Sequence, residues 1–358
     1  MKSKFTLYAI YWLANEWGEE HFNLGRLPFE IAEGVRIEDV STFILEEAFE
    51  LVRERNGSEE VKRLRDTQYA LVHRYDATTT FANGALIQED DHDARSEQLI
   101  RNIAGCLRLI RPMRQSSSFM QGDVREDGTF DVKTWQSPAD LDVPEAHKLF
   151  KLYDRDADNL KTYAPEFLKA MVGDIWKFKM AANFHELGYW ADSGELLKAR
   201  YLLWASAIES IYTSHNPNHQ GSRVATARIK WFLGENTSIY GPGELSGLAD
   251  PNITVGSVVD DLYQVRNYIA HGDKIPDRYL MHPMRDGHDG QLSTYCVLFE
   301  AQSFIIRSSL LKILRDRLLD NFKDAGAAEV YFAAQGLTKD KFRSPYKKIT
   351  FAEVQQVF

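Results

Sequence analysis

Apolar residues recur every three or four positions through most of the second half of the chain, which is the spacing of one face of an α-helix. In the stretch 255–271, the apolar positions Val258, Leu262, Val265 and Ile269 follow one another at such intervals. Five stretches of this kind predict helices over residues 159–182, 194–214, 222–233, 255–271 and 292–322. The second half is therefore expected to be a helical bundle.

The first half mixes two kinds of pattern. β-favouring stretches and helical stretches alternate, which predicts strands at 5–13 and 27–31 and helices at 41–55, 59–73 and 94–114. Asp127-Gly128, between the apolar stretches 120–124 and 129–135, is a typical hairpin turn. The fold class expected for the chain is mainly α, with an α+β N-terminal domain in front of a helical bundle.

The loop between Pro138 and Pro144 marks the boundary between the two halves. We assign residues 1–150 to the α+β domain, whose role is unassigned, and residues 151–335 to the bundle. Residues 336–358 form a basic tail, in which Thr350 and Glu353 have the spacing of a capping box at the start of a short helix.

The distribution of charge separates the halves further. The formal net charge is −9, which argues against a protein that coats nucleic acid by bulk electrostatics. Residues 1–150 hold 18 Lys and Arg against 27 Asp and Glu, a net charge of −9, so residues 151–358 are neutral. The second half is thus the better candidate to contact a phosphate backbone.

The two cysteines, Cys106 and Cys296, lie far apart in apolar helical patterns. This usage favours two core thiols in a reducing cytoplasm over a disulfide framework. No run of about 18 apolar residues predicts a transmembrane helix, so no membrane contact is expected. The apolar stretch at 5–13 is interpreted as a strand; the alternative, a signal peptide, lacks a cleavage site of small residues.

The clearest candidate for chemistry is Arg266-Asn267-Tyr268-Ile269-Ala270-His271. Gly272 and Pro276 predict that a helix ends just after His271. Asn267 and His271 then share a face, whereas Arg266 lies about 140° from His271 at ~100° per residue. The alternative interpretation is a histidine that only caps the helix carbonyls.

These residue types suit the cleavage of RNA by its own 2′-OH. That reaction needs a base for the hydroxyl, an acid for the leaving 5′-oxygen and a cation for the phosphorane. Histidine can supply the proton transfers near neutral pH. Arginine offers a forked, permanently charged donor for phosphate oxygens, and asparagine can orient either partner. One copy supplies one such histidine, so acid and base together require a second copy.

Three segments carry a resemblance to a known family: the helix with Arg200, Trp204 and Glu209, the stretch 223–233, and the segment 265–272. They resemble the HEPN superfamily, and most closely its ApeA-like branch, over roughly residues 159–322. The resemblance implies a helical bundle that pairs as a homodimer, with two Arg-x-x-x-x-His motifs in one composite cleft. It also implies a metal-independent endoribonuclease that uses no cofactor.

The resemblance assigns roles to individual residues. Arg266 and His271 match its catalytic pair, and Asn267 matches the polar residue after the arginine. Glu209 matches an acidic position that holds the arginine, although a helix-surface charge is an equal alternative. Asp273 stands where related toxins carry a tyrosine, so modification there by a nucleotidyltransferase partner is not suggested.

The resemblance further implies cellular RNA, with tRNA as one candidate, as the substrate in a toxin system or in antiphage defence. A phage-derived trigger is then a candidate partner. The alternative from another class is a non-catalytic HEPN module that dimerises or binds a partner, with sensing by the N-terminal domain.

Overall fold

The structure is a computed structural model that describes residues 2–10, 22–23, 25–40, 46–58, 61, 65, 69–77, 79–82, 85–89, 92–111, 117–136, 152–190, 197–214, 221–239, 253–276, 279, 281–283 and 291–339. The chain divides into two compact units. The first comprises residues 1–173 and 186–200, and the second comprises residues 174–185 and 201–358. These limits differ from the domain limits expected from the sequence (1–150, 151–335 and 336–358), which stay a prediction. The predicted final helix lies outside the described residues.

The first unit is built on an antiparallel sheet of six strands in the order β3-β4-β5-β1-β8-β9. Its strands are β1 (Lys2–Ile10), β3 (Phe29–Ala32), β4 (Val35–Asp39), β5 (Tyr69–Ala77), β8 (Ser117–Val124) and β9 (Phe130–Gln136). Two smaller pairings accompany it, β2 (Phe22–Asn23) with β10 (Leu152–Tyr153) and β6 (Thr79–Ala82) with β7 (Ala85–Glu89). Its helices are α1 (Glu46–Asn56), α2 (His92–Ile110) and α3 (Asp154–Val172).

Alternation along β1 gives the sheet two different faces. Phe5 and Leu7 belong to a buried apolar cluster that also includes Ala48 and Val52 of α1. Lys4 and Thr6 therefore point to the opposite face, where their side chains bond to residues of α2. At β1, the sheet is thus covered by α1 on one face and by α2 on the other.

Most elements predicted for the first half are confirmed, including both early strands, the helix that became α2 and the hairpin of β8 and β9. One prediction is wrong in part: residues 61 and 65 are helical, as expected for the helix over 59–73, but the strand β5 begins at Tyr69. Strand β5 pairs with β1 and with β4, so its conformation depends on partners that are distant in sequence. A periodicity measured along the chain does not detect such pairing.

The second half is mainly helical, as expected. The helices are α4 (Trp176–Trp190), α5 (Leu197–Tyr212), α6 (Gly221–Ile229), α7 (Val255–His271), α8 (Thr294–Arg315) and α9 (Ala325–Ala334). A π-helical turn (Lys230–Gly234) follows α6, a 3-10 turn (Leu319–Phe322) follows α8, and β11 (Met281–Pro283) pairs with β12 (Gln291–Ser293). Of the helices that the structure describes, none has the length and apolar character needed to span a membrane.

Aromatic residues form the centre of the second unit. The Trp204 side chain is fully buried on α5 and donates a hydrogen bond from Nε1 to the carbonyl of His185 at 3.0 Å. Phe299 of α8 packs edge-on against both Tyr201 and Trp204. The Tyr201 hydroxyl donates to the carbonyl of Leu262 at 3.0 Å, which attaches α5 to α7.

Two long helices predicted from the sequence are interrupted. The helix expected over 159–182 breaks at Gly173, whose extended backbone (φ −80°, ψ −176°) separates α3 from α4. The helix expected over 292–322 ends at Arg315, since Arg317 takes a left-handed conformation (φ 55°) and the Leu318 N–H bonds to the carbonyl of Ile313. A left-handed conformation is unusual for arginine, so nothing in the sequence indicates that the helix ends there.

Candidate functional site

Helix α7, which carries Arg266, starts at a capping box and packs one side into the second unit. The Thr254 hydroxyl accepts a hydrogen bond from the Ser257 N–H at 3.3 Å, and the Ser257 hydroxyl accepts one from the Thr254 N–H at 2.9 Å. Its buried side chains are Val255, Val258, Val259, Leu262, Tyr263 and Val265. The predicted apolar stripe is confirmed as far as Val265, whereas Ile269 is only partly buried.

The end of α7 falls where the sequence predicts it. Gly272 adopts a left-handed conformation (φ 72°, ψ 17°), and its N–H bonds to the carbonyl of Ile269 at 3.2 Å. The Asp273 N–H bonds to the carbonyl of Tyr268 at 2.8 Å, which completes a Schellman-type end. His271 is the last helical residue and its side chain is exposed.

Arg266 forms an ion pair with Glu209 of α5. The arginine Nη2 lies 3.4 Å from one carboxylate oxygen and 3.5 Å from the other. Charge-assisted hydrogen bonds are typically about 2.7–2.9 Å long, so this pair is loose. About a third of each side chain is exposed, 34% for Arg266 and 31% for Glu209. The guanidinium is therefore held near the surface without being locked there.

Asn267 lies between the two predicted catalytic residues. Its Oδ1 accepts a hydrogen bond from Nη1 of Arg266 at 3.3 Å. His271 follows one turn later on the same face of the helix. Arg266 thus contacts both Asn267 and Glu209, and the exposed imidazole of His271 is next along the helix from Asn267.

Burial changes the protonation of two groups beside the arginine. It raises the pKa of the Glu209 carboxyl, and the charge and hydrogen bond of Arg266 oppose that increase. It also raises the pKa of the Tyr263 phenol well above its usual range; the Glu209 carboxylate adds to this increase, and Arg266 opposes it. The charges of both Glu209 and Arg266 therefore reach the Tyr263 ring.

The Tyr263 hydroxyl is a buried polar atom without a hydrogen-bond partner among the residues that the structure describes. An unpaired buried donor costs about 1–3 kcal/mol. The sequence does contain a signal for Tyr263, because it precedes Asn267 by four residues and His271 by eight. The apolar periodicity of α7 hides that signal, since Tyr263 adjoins the stripe at Leu262.

The exposed end of α7 combines a guanidinium, an amide and an imidazole. The guanidinium can bind phosphate oxygens through two N–H groups, and an imidazole is a side chain that serves as a general acid or base. Across the described part of the chain, no three His, Cys, Asp or Glu side chains converge as ligands for a metal ion. The arrangement is suited to binding a phosphate diester and transferring a proton beside it.

A second Arg–Glu pair in the same unit, which the sequence analysis missed, has a different geometry. Arg228 of α6 donates to the two carboxylate oxygens of Glu329 at 2.9 and 2.7 Å. It also donates to the carbonyls of Tyr212 at 2.9 Å and Leu337 at 3.1 Å. Only 1% of the Arg228 side chain is exposed. This network, Arg228 with Glu329 and the two carbonyls, fastens the chain after α9 to the end of α5.

Lys177 of α4 supports the same end of α5. Its Nζ donates to the carbonyls of Ser210 and Thr213, each at 2.6 Å. Burial lowers the pKa of Lys177 to about 8. A cation at a helix C-terminus is favourable because the last carbonyls of a helix lack partners within it.

The first unit contains its own group of bonded polar side chains. His73 Nδ1 lies 2.7 Å from the Ser96 hydroxyl, which donates to the Thr6 hydroxyl at 2.7 Å. The Tyr75 hydroxyl donates to Asp93 at 2.7 Å. These bonds attach the first turns of α2 to β1 and β5, and burial lowers the pKa of His73.

Comparisons of the chain with protein-family models, with curated proteins and with solved structures gave no match.

Proposed function

We propose that the chain is a metal-independent endoribonuclease of the HEPN type and that Arg266, Asn267 and His271 form its active site. The observation that carries the proposal is their arrangement at the exposed end of α7, with Arg266 only loosely paired to Glu209. A loosely paired guanidinium can leave the Glu209 carboxylate and bind a phosphate instead. The helical character of the second unit is consistent with a bundle of this type.

In the proposed reaction, the 2′-OH of a ribose attacks the adjacent phosphate and the bond to the 5′-oxygen breaks. A base takes the hydroxyl proton, an acid protonates the leaving oxygen, and the products carry a 2′,3′-cyclic phosphate and a 5′-OH. Arg266 stabilises the charge of the phosphorane, and His271 transfers one of the protons. Asn267 orients Arg266 through the bond at 3.3 Å.

A homodimer follows from the count of proton-transfer groups. The α7 end of one copy supplies one imidazole, whereas the reaction needs an acid and a base. We propose that a second copy supplies the other imidazole in a shared cleft. From the family resemblance, we further propose that the substrate is cellular RNA, with tRNA as the first candidate. From the same resemblance, we propose that the reaction belongs to a toxin or antiphage setting of the cytoplasm.

The test is cleavage of total tRNA by the purified full chain in the presence of EDTA. Wild type is expected to cut, while Arg266→Ala and His271→Ala each lower the rate by at least about 100-fold, the usual scale for a general acid–base or charge-stabilising group. Arg223→Ala, which removes an exposed arginine from α6 of the same unit, is the matched control and should cut normally.

Sedimentation or light scattering of the same samples tests the dimer. A stable dimer that cuts neither tRNA nor total cellular RNA contradicts the nuclease and favours the non-catalytic interaction module instead. Unchanged cutting by both active-site variants contradicts the site.

A further inference from the structure

Tyr263 of α7 carries a buried hydroxyl. This hydroxyl has no hydrogen-bond partner among the described residues, although only 6% of the Tyr263 surface is exposed to solvent. Phenylalanine would fill the same space without leaving a donor unpaired. A hydroxyl at this position therefore suggests that its partner is made in another state of the site.

Two features place Tyr263 beside the ion pair of the site. Residues three and four apart on a helix are neighbours, so Tyr263 adjoins both Arg266 and Asn267 on α7. The Glu209 carboxylate and the Arg266 guanidinium both act electrostatically on the phenol. The Tyr263 side chain therefore adjoins the arginine that contacts Glu209, a carboxylate that already has one donor.

Glu209 needs a donor in every state of the site. Its carboxylate is partly buried, and Arg266 Nη2 supplies the present contact at 3.4 and 3.5 Å. When the guanidinium turns to an anionic ligand, the carboxylate loses that donor and stays desolvated. A partly buried charge without a hydrogen bond is unfavourable, so a substitute donor stabilises that state.

We propose that Tyr263 is a positioning residue of this site: its hydroxyl takes over the Glu209 carboxylate when Arg266 turns away to bind a phosphate. The contact of Arg266 with phosphate rests on the proposed function, whereas the exchange of donors at Glu209 does not. Tyr263 acts through Glu209 and Arg266 and touches no reacting atom.

The exchange predicts that the effect of Tyr263→Phe on stability changes sign with the state of residue 266. With Arg266 present, the hydroxyl is unpaired, so Tyr263→Phe leaves the melting temperature unchanged or raises it. In an Arg266→Met background the hydroxyl is the donor for Glu209, so Tyr263→Phe lowers the melting temperature by about 2–4 °C. Thermal unfolding of the four full-length chains measures both effects.

Tyr268→Phe is the matched control, since Tyr268 lies on the same helix and its ring contacts Tyr279. It should produce the same shift in both backgrounds. The proposal is overturned if Tyr263→Phe also shifts the melting temperature equally in both backgrounds, because a residue that only packs would behave in that way.

Cleavage of tRNA gives a second and separable readout. Tyr263→Phe is expected to reduce kcat about tenfold with little change in KM, the rate equivalent of one lost hydrogen bond. The reduction should vanish in a Glu209→Gln background, because a neutral amide no longer retains Arg266. If wild type cuts no RNA while the change of sign in melting temperature is present, the nuclease proposal fails and the exchange stands.

Discussion

Within the described part of the second unit, the Arg228–Glu329 and Arg266–Glu209 pairs differ in almost every physical respect. Arg228 and Glu329 meet through two short bonds, and the arginine is buried. Arg266 and Glu209 meet at 3.4 Å or more, and a third of each side chain is exposed. The first pair has no freedom to bind anything else, whereas the second can release its guanidinium at little cost.

The two glutamates also respond to their surroundings in opposite directions. Burial tends to raise the pKa of Glu329, but hydrogen bonds and charges from Arg228, Ser214 and Lys339 outweigh it and lower the pKa to about 2. At Glu209 burial prevails over the single contact from Arg266, and the pKa is raised. A carboxylate with several donors holds a structure together, while one with a single loose donor can change partners.

The largest expected effect is the loss of the buried arginine. Arg228→Ala removes the paired arginine of Glu329 and the donor of two carbonyls, so it should lower the free energy of unfolding by about 3–5 kcal/mol. Arg266→Ala should lower it by no more than about 1 kcal/mol, as for other exposed pairs. Urea unfolding of both variants beside Arg223→Ala measures the difference. Equal losses for Arg228→Ala and Arg266→Ala would remove the distinction between the two pairs.

An intermediate effect is expected from acid. The pKa of Glu329 is lower in the folded chain than the ordinary value of 4.5, so the unfolded chain binds more protons between these values. The stability that Glu329 contributes is therefore present above about pH 4.5 and is lost as the pH falls toward 2. Glu329→Gln should cost about 2 kcal/mol at pH 7 and almost nothing at pH 2. A constant difference from wild type across that range would contradict the assignment.

The smallest effect is expected at Glu209 and has the opposite sign. Its pKa is raised in the folded chain, so its contribution to stability is present below the ordinary value of 4.5 and is lost as the pH rises through the folded value. Glu209→Gln should therefore raise the free energy of unfolding at pH 7 by a few tenths of a kcal/mol, and leave it unchanged near pH 4. Unfolding curves at the two pH values test this, and a clear loss at pH 7 would show that Glu209 is a structural partner like Glu329.

The local features of the fold and of the site could be predicted from the sequence. The stripe that ends at Val265 and the glycine at position 272 determine where α7 packs and where it stops, and both act within a few residues. The hairpin of β8 and β9 depends on Asp127-Gly128 in the same way. Patterns of this kind need no knowledge of distant partners.

The features that depend on distant contacts could not be predicted. Arg228 is buried because Glu329, 101 positions away, supplies its counter-charge. Strand β5 extends because β1 and β4 flank it. The pairing of Arg266 with Glu209, 57 positions apart, could be expected only from the family resemblance.

The loose Arg266–Glu209 pair has a further consequence for how such a protein changes over generations. Since Arg266 adds little to folding, selection for a stable chain does not preserve it, and only selection for the proposed activity does. A lineage that no longer needs the activity can lose Arg266 in a single substitution and keep the bundle intact. Under the proposed function, one substitution at Arg266 then separates an enzyme from an inert scaffold, while substitution of Arg228 destabilises the bundle itself.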